Sequence, residues 1–257
     1  MLNKFIVLLL FFLLFSTQFS VAQTFGFGCL GFVGGYGGFT YQKINPAGLN
    51  QFIENHNSLE YTSKPVEEFS YATGYRLGLN FFRATFENGI IVTAKGYYQS
   101  LAKKNKGGVG ITQSEDNYSL DLNLKNWSVG FDVGWELTKV LSWKILDGSL
   151  NFNNVTLTET TDSPGAPTII NKYESDAGVI GYSIGTGVIV AILKDYISIE
   201  GLAGYTYLSI DDLKNDEGVK FLGGNPGAMN ISLEQSKFID SGGFTAVIQL
   251  NVGFPLL

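Results

Sequence analysis

Five charged residues in this chain lie at positions from which they could act together. Side chains of a β-strand alternate between two faces, so residues two apart share a face. All five fall on the polar faces of four alternating segments: Arg76, Lys95, Asp132, Glu136 and Glu200. Charges enclosed by a fold must be paired, so we predict a structural network in which the first two residues oppose Asp132 and Glu200. A proton or ion path along the same residues is the functional alternative.

Histidine chemistry in this chain depends on a single residue, His56. Nucleophilic serine catalysis usually needs a histidine base, but His56 lies in a polar loop beside Glu54, Asn55 and Asn57. We interpret it as a solvated residue at a helix end and predict no catalytic residue. One histidine and one cysteine, Cys29, cannot form a zinc site by themselves, so we predict neither a metal centre nor a cofactor.

An acidic patch lies near the end of the chain and contains Asp211, Asp212, Asp216 and Glu217. Its spacing does not match a calcium-binding EF-hand loop, because Lys214 stands where that loop places a ligand. We interpret the patch as a solvated acidic loop, with surface calcium binding as the alternative.

The last fourteen residues, 244–257, have a regular strand pattern. Apolar side chains occupy every second position, at Phe244, Ala246, Ile248, Leu250, Val252, Phe254 and Leu256. The positions between them are mostly small or polar, so the stretch predicts a strand with one wholly apolar face. Either a soluble core or a lipid bilayer would supply the apolar environment that this face needs.

Seven further segments have strand character, and the connections between the strands alternate in length. The first, third, fifth and seventh connections are long, and the others are short turns such as Glu87-Asn88-Gly89. Outer-membrane barrels combine long outer loops with short periplasmic turns in this way. The pattern predicts an all-β, closed, antiparallel transmembrane barrel of eight strands, with both termini on the periplasmic side. Ten strands follow if residues 137–154 contain an extra hairpin.

Two of the predicted strands lose their alternation part of the way along. In residues 118–137 the apolar phase changes near Lys125-Asn126, which indicates either a β-bulge or the point where the strand leaves the membrane. In residues 146–160 the apolar side chains fall in two phases, so this is the weakest strand pattern of the eight. The polar residues 103–117 are predicted to form a loop.

A helical pattern interrupts the first long loop, from Pro46 to about Asn57. Leu49, Phe52 and Ile53 are spaced i, i+3 and i+4, after an asparagine and a proline that favour a helix start. Their shared apolar face has three interpretations. It caps the mouth of the barrel, lies in the outer leaflet of a membrane, or docks on a partner protein of the envelope.

The N-terminal residues 1–22 have the features of a signal peptide. Lys4 precedes an unbroken apolar run, and Ser20-Val21-Ala22 forms a cleavage site of small residues. We therefore expect a mature chain of residues 23–257 that forms one barrel domain. That chain has 16 basic and 23 acidic residues, a formal charge of −7, which argues against binding to nucleic acid or to anionic lipid through charge alone.

The positions of the glycines favour lipid over a soluble core. Seven glycines share the non-apolar faces of the predicted strands: Gly74, Gly78, Gly130, Gly134, Gly181, Gly185 and Gly187. A soluble barrel would expose these faces to water and would usually place larger polar residues there. Small residues suit the interior of a narrow closed barrel instead. The apolar faces are therefore predicted to contact lipid.

The chain resembles the outer-membrane β-barrel domain proteins of Bacteroidetes across its whole predicted mature length. The resemblance depends on the signal peptide, the strand rich in glycine and aromatic residues at 25–43, the helix motif N-P-A-G-L-N-Q-F-I, and the ending Q-L-N-V-G-F-P-L-L. The final Leu256-Leu257 departs mildly from the aromatic ending of many barrels.

Several expectations follow from this resemblance. It implies that the last strand, through Phe244, Ile248, Leu250, Val252 and Phe254, is read by the barrel-assembly machinery during insertion into the bacterial outer membrane. The expected role is a small, non-catalytic barrel with a structural or accessory function in the cell envelope. A lipid-modifying enzyme and a narrow channel are the alternatives.

Overall fold

The computed structural model describes residues 34–58, 62–86, 88–109, 116–193, 196–224 and 237–253. Within them are ten strands and two short helices. The strands are β1 (Gly34–Lys43), β2 (Thr62–Lys64), β3 (Tyr71–Thr85), β4 (Ile90–Val109), β5 (Asp116–Glu136), β6 (Leu141–Asp162), β7 (Ile169–Glu174), β8 (Val179–Leu193), β9 (Ile197–Tyr207) and β10 (Gly243–Gly253). The helices are α1 (Ala47–Asn57) and α2 (Phe221–Gly224). The predicted signal peptide, Cys29 and Phe254 lie outside the described residues.

Eight of these strands close into a ring in which every neighbour is antiparallel. The order is β1-β3-β4-β5-β6-β8-β9-β10, and β10 pairs back to β1 from Gly34↔Gly253 to Gln42↔Thr245. This confirms the prediction of a closed eight-stranded antiparallel barrel. The ten-stranded alternative is wrong, because residues 137–154, all of them described, contribute only a turn and the first part of β6.

The long and short connections lie at opposite ends of the barrel. Asn88, Gly89 and residues 137–140 lie in short connections at one end, while α1, β2, β7 and α2 lie in the long connections at the other end. Among the described residues, neither helix is long and apolar enough to cross a membrane.

Strands β4, β5 and β6 are much longer than the other five strands of the ring. They contain 20, 21 and 22 residues, about twice the ~9–11 residues that a tilted strand needs to cross a bilayer. The prediction of a loop is therefore wrong at residues 103–109 and 116–117, since β4 continues to Val109 and pairs there with Asp116 of β5; residues 110–115 lie outside the described residues. A polar composition did not exclude a strand here, because only one face of the extension is buried.

At one level of the barrel, the apolar side chains of the three long strands change from the outward face to the inward face, and the polar side chains change the other way. On the turn side of this level, the outward residues Tyr98, Trp127 and Phe152 are apolar, and the inward residues Gln99, Asn126 and Asn153 are polar. On the other side, the inward residues are Leu101, Leu124 and Val155, and the outward residues are Ser100, Lys125 and Asn154. We call these last three residues the boundary row. The barrel below the row is the lumen zone, and the part above it is the outer lobe.

This exchange accounts for the change of phase near Lys125-Asn126. The pairing with β4 stays regular there, from Leu101↔Leu124 to Gln99↔Asn126, so a bulge at this point is contradicted. The apolar residues change face because the surroundings of each face change. The same exchange explains the weak pattern of β6, where Phe152 faces outward and Val155 faces inward.

The outer lobe has its own apolar core beneath α1. It collects residues from distant parts of the chain, including Leu49, Phe52, Ile53, Phe69, Tyr118, Leu120, Leu122, Leu157, Leu213, Phe221 and Phe238. The amide side chain of Asn50 exchanges two hydrogen bonds of 2.8 Å with the backbone of Phe69. Burial of these side chains gives the lobe a hydrophobic driving force that does not depend on lipid.

Hydrogen bonds join the start of this lobe to the segment that precedes β10. The Gly48 amide donates to the Lys237 carbonyl (2.9 Å), and the Asn45 amide donates to the Ser241 carbonyl (3.0 Å). The Asp240 amide donates in return to the Asn45 carbonyl (3.0 Å). These contacts lie just above the seam where β10 closes against β1.

Candidate functional site

Five buried charges form a layer across the lumen zone. They are Lys95, Asp132, Lys144, Asp147 and Glu200, each no more than 8% exposed. Lys95 bonds to the Asp147 carboxylate, and its Nζ lies 3.5 Å from Asp132 Oδ2. Lys144 bonds to Glu200, and its Nζ lies 3.1 Å from Asp132 Oδ2 and 3.3 Å from Asp147 Oδ2. We call this set the charged layer.

The predicted network is correct for some of its members and wrong for others. Lys95, Asp132 and Glu200 lie in the charged layer, but Arg76 pairs with no carboxylate in the described part of the chain. Its Nε and Nη2 donate to Gln99 Oε1 (3.1 and 2.8 Å), because β3 and β4 place the two residues in register. The guanidinium also lies 4.1 Å from the ring centroid of Tyr97.

Glu136 is not a lumen residue, contrary to the prediction from its position in the alternation. It is exposed at the end of β5, where its amide donates to the Gly89 carbonyl (2.8 Å) of the neighbouring turn. The alternation does not indicate where a barrel ends, so the last inward position of a strand need not be enclosed.

A β-bulge supplies the two charges that the sequence pattern missed. The register of β6 shifts between Lys144 and Asp147, so that these residues both face inward while Ile145 and Leu146 both face outward. Bulges re-aim side chains in this manner. Two adjacent apolar residues flanked by opposite charges were the signal in the sequence.

Neutral polar side chains continue the packing of the lumen around the charged layer. Glu200 Oε2 accepts hydrogen bonds from Gln249 Nε2 and Asn251 Nδ2, each 3.2 Å long. Farther up, the Tyr97 hydroxyl lies 2.9 Å from Ser149 Oγ and donates to Asn151 Oδ1 at 3.2 Å. Including Arg76, the six charged groups described here carry three positive and three negative charges, so this part of the lumen is neutral.

Small cavities lie among the described lumen side chains. One encloses about 50 Å³ toward the turn end, and another encloses about 20 Å³ beside Arg76 and Tyr97. The Tyr36 hydroxyl and Gln249 Oε1 have no hydrogen-bond partner among the described residues, and both residues line the larger cavity. A space of this size and polarity accommodates ordered water.

The ring of Tyr36 depends on a glycine on the neighbouring strand. A Cβ at Gly78 would lie 2.2 Å from Tyr36 Cζ and 2.5 Å from its hydroxyl oxygen. Any side chain at this position would therefore displace the ring from the lumen. Packing therefore requires a small residue at Gly78 of β3, as expected in the interior of a narrow closed barrel.

The predicted contact face of α1 is covered by the chain itself. Leu49, Phe52 and Ile53 are at most 3% exposed, and the ring centroids of Phe52 and Phe221 lie 4.8 Å apart. This geometry contradicts docking of that face on a partner and its insertion into an outer leaflet. It agrees with a cap over the barrel mouth, because the outer lobe buries every residue of the face.

His56 is not the solvated residue that its polar neighbours indicated. Its ring stacks on Tyr118, with centroids 4.4 Å apart and planes 19° apart. Nε2 is buried without a hydrogen-bond partner in the described ranges. Burial lowers the pKa of His56 below its usual value, and the negative charge of Glu159 opposes that shift. Glu159 Oε1 itself accepts a hydrogen bond from the Tyr118 hydroxyl (2.7 Å).

The acidic patch does not converge on one point. Asp211 lies 3.6 Å from Lys237 Nζ, and Asp212 Oδ1 accepts hydrogen bonds from the backbone amides of Leu213 (2.8 Å) and Leu222 (3.1 Å). Asp216 and Glu217 are exposed. Across the residues that the structure describes, no group of three or more His, Cys, Asp or Glu is arranged to hold a metal ion.

The outward face of the lumen zone is an apolar band that runs around the barrel. Its exposed members include Leu77, Leu79, Val129, Phe131, Leu150, Ile180, Ile184, Ile199 and Phe244, Ile248, Leu250 and Val252 of the final strand. Phe131 is 67% exposed and Ile248 is 60% exposed. Trp127 lies at the boundary-row edge of the band, and Trp135 and Trp143 lie near the turn end, as aromatic girdles do in outer-membrane barrels.

No protein-family model matches this chain, and no curated protein matches it. Among solved structures, it is similar to Ail, the attachment invasion locus protein of Yersinia pestis, with 13% identity and a TM-score of 0.40 over 87% of this chain and 99% of Ail. A second Ail structure, in complex with the heparin analogue sucrose octasulfate, has 13% identity and a TM-score of 0.38 over 86% of this chain and 97% of that one. At this identity, no residue role is transferred from Ail.

Proposed function

We propose that this protein is an integral, non-catalytic barrel of the bacterial outer membrane, with a structural or accessory role carried by its outer lobe. The observation that carries the proposal is the apolar band around a polar, filled lumen. A large exposed apolar surface marks an interaction site, and a complete belt around a closed barrel suits lipid.

The height of the band supports membrane insertion. On β5 it extends from Trp127 to Trp135, nine residues, which agrees with the ~9–11 residues of a transmembrane strand. The short turns then face the periplasm and the outer lobe faces the exterior. Fractionation tests this directly. The protein should remain with outer membranes after alkaline extraction and should migrate differently in gels before and after heating.

A narrow channel is the weaker alternative. The charged layer and its hydrogen-bonded neighbours occupy the lumen, and the apolar core of the outer lobe lies over the open end. We expect no conductance steps from the purified protein in planar bilayers. Regular steps with the unaltered protein would overturn this part of the proposal.

A lipid-modifying enzyme is also weaker, because His56 is placed as a packing residue. Its Nε2 has no hydrogen-bond partner among the described residues, and its ring centroid lies 4.4 Å from that of Tyr118 and 6.2 Å from that of Phe52. Replacing His56 with alanine should change no lipid profile of the outer membrane. A loss of one lipid species in that variant would favour the enzyme.

An accessory role requires that the outer lobe meets another envelope component. Ile170 is exposed on β7, on the part of the barrel that projects beyond the band. We expect crosslinking on whole cells, followed by mass spectrometry, to yield a recurrent partner in stoichiometric amount. Ile170→Ser should weaken that crosslink, and Val219→Ser, at another exposed apolar position of the lobe, is the matched control. A barrel that is always recovered alone would leave a purely structural role.

A further inference from the structure

The outer surface of the apolar band contains a groove of about 820 Å³. This volume lies within the range of small-molecule sites, about 300–1,000 Å³. The outward side chains that line it are almost entirely apolar: Leu77, Leu79, Phe81, Tyr98, Trp127, Val129 and Phe152. A groove of this size gives an elongated apolar molecule far more contact than the convex surface around it.

Two glycines form the floor of the groove. Gly35 of β1 and Gly96 of β4 pair in register with Leu79 of β3, one on each side. The ring of Phe81 covers part of Gly96, because a Cβ at Gly96 would lie 2.7 Å from Phe81 Cε2. Neither glycine has a side chain of its own, so the longer side chains around them form the walls of the groove.

At the upper rim of the groove, aromatic side chains are followed by polar and cationic ones at the next outward position of each strand. The rings of Tyr98 and Trp127 lie 5.0 Å apart at this rim. Directly above them is the boundary row, where exposed Lys125 pairs in register with Ser100 and Asn154. A molecule lying in the groove therefore meets apolar walls below and a positive charge with polar neighbours above.

We propose that this groove binds one molecule of a phosphorylated glycolipid of the outer leaflet, with an acyl chain along Gly35 and Gly96 and a phosphate beside Lys125. Two features support a lipid as the occupant. The rim lies at the level where both faces of the barrel change character, which is the depth of the headgroups. A lysine at that depth also attracts anionic headgroups. The inference rests on the membrane insertion and orientation proposed above.

The test uses the full-length mature protein in mild detergent, titrated with lipid A, phosphatidylglycerol or phosphatidylcholine, with bound lipid counted by native mass spectrometry. Lys125→Ala should weaken lipid A binding by about fivefold. Gly35→Phe should weaken it by about tenfold or more, because the new ring fills the groove. A Cβ at Gly35 would make only ordinary contacts, the nearest being 3.5 Å from Leu79 Cδ2.

Two matched controls separate the groove from general lipid contact. Gly201→Phe places the same ring on the outer face of β9, where nothing lies within 4 Å of a Cβ. Lys139→Ala removes an exposed lysine in a short turn. Both variants should bind lipid A as the unaltered protein does. Lys125→Ala also guards against a folding defect of Gly35→Phe, because Lys125 is a solvated side chain.

Three results would overturn the proposal. Equal lipid A binding in all four variants would mean general lipid contact only. Equal binding of phosphatidylglycerol and lipid A would exclude recognition of an outer-leaflet glycolipid. A stoichiometric protein that dissociates on Gly35→Phe would assign the groove to a protein partner. Failure of membrane insertion itself would appear separately, since the unaltered protein would then be absent from outer-membrane fractions.

Discussion

The lumen zone and the outer lobe are built from the same strands, yet their interiors are opposites. Inward positions of β4, β5 and β6 carry Lys95, Asp132 and Asp147 below the boundary row, and Leu101, Leu122 and Leu157 above it. Water surrounds the lobe, so burying apolar residues stabilises it. Under the proposed membrane insertion, lipid surrounds the lumen zone, so its apolar residues face outward and paired polar groups fill the interior.

Buried side chains are therefore stabilised by different interactions in the two regions of this molecule. A buried position in the lobe is stabilised by removing apolar surface from water. A buried position in the lumen zone is satisfactory only when each charge has its partner. The two regions should therefore respond in opposite ways to the same kinds of substitution.

The largest effect is expected from the charged layer. Asp147→Asn leaves Lys95 and Lys144 short of a counter-charge, and breaking a buried ion pair in this way costs about 3–5 kcal/mol. The measurement is the urea midpoint of barrel unfolding, followed by gel mobility. Asp216→Asn, at an exposed aspartate of the lobe, is the control and should not move the midpoint. Equal midpoints for both variants would show that the charged layer contributes nothing to stability.

The apolar core of the lobe should be nearly as sensitive. Leu122→Ala should destabilise the lobe by about 2–5 kcal/mol, through lost burial and the cavity left behind. The matched change Leu150→Ala is on the outward face of β6, where lipid fills the vacated space and the loss should be much smaller. Protease resistance of the whole barrel in increasing denaturant measures both. A larger loss for Leu150→Ala would reverse the assignment of inside and outside.

A third comparison sets a glycine packed in the lumen zone against a glycine on the outer face of the barrel. Gly78→Ala forces a methyl group into the ring of Tyr36, and overpacking of this kind costs about 1–3 kcal/mol. Gly201→Ala, with open space around its Cβ, should leave barrel stability unchanged. A paired variant, Gly78→Ala with Tyr36→Phe, should recover little, because the collision involves the ring and not only the hydroxyl.

The smallest effect concerns pH and belongs to the lobe alone. Burial lowers the pKa of His56, so the unfolded chain binds a proton more readily than the folded chain. Stability from this residue is therefore present above the unfolded pKa of about 6.5 and is lost as pH falls through the lower folded value. His56→Phe should flatten the acid-side slope of lobe stability, measured by protease resistance at several pH values. An unchanged slope would assign the dependence to other groups.

Much of the barrel could be predicted from the sequence, because alternation fixes which residues share a face. That rule gives the inward positions of Lys95, Asp132 and Glu200. The number of strands, together with the alternation of long and short connections, predicts the closed eight-stranded barrel. Alternation does not say what surrounds a face. The change of apolar phase near Lys125 is therefore ambiguous in the sequence, and residues 103–109 have the composition of a loop although they form the end of β4.

The charged layer could be predicted only in part, because bulges and partner choice depend on tertiary contacts. The bulge at Ile145-Leu146 turns Lys144 inward against the simple period of two. Arg76 meets Gln99 because of the register between β3 and β4, which no local pattern contains. His56 looked solvated because its neighbours along α1 are polar, whereas its ring packs on Tyr118 of a distant strand.

The contacts between the start of α1 and the segment before β10 have a consequence for the order of assembly. The lobe core combines Leu49, near the start of the barrel, with Phe238, near its end, so its contacts are among the most non-local in the chain. Such contacts are costly to form early in folding. We therefore expect the lobe core to form after β1 and β10 have paired, so that its protease resistance reports completed assembly of the barrel.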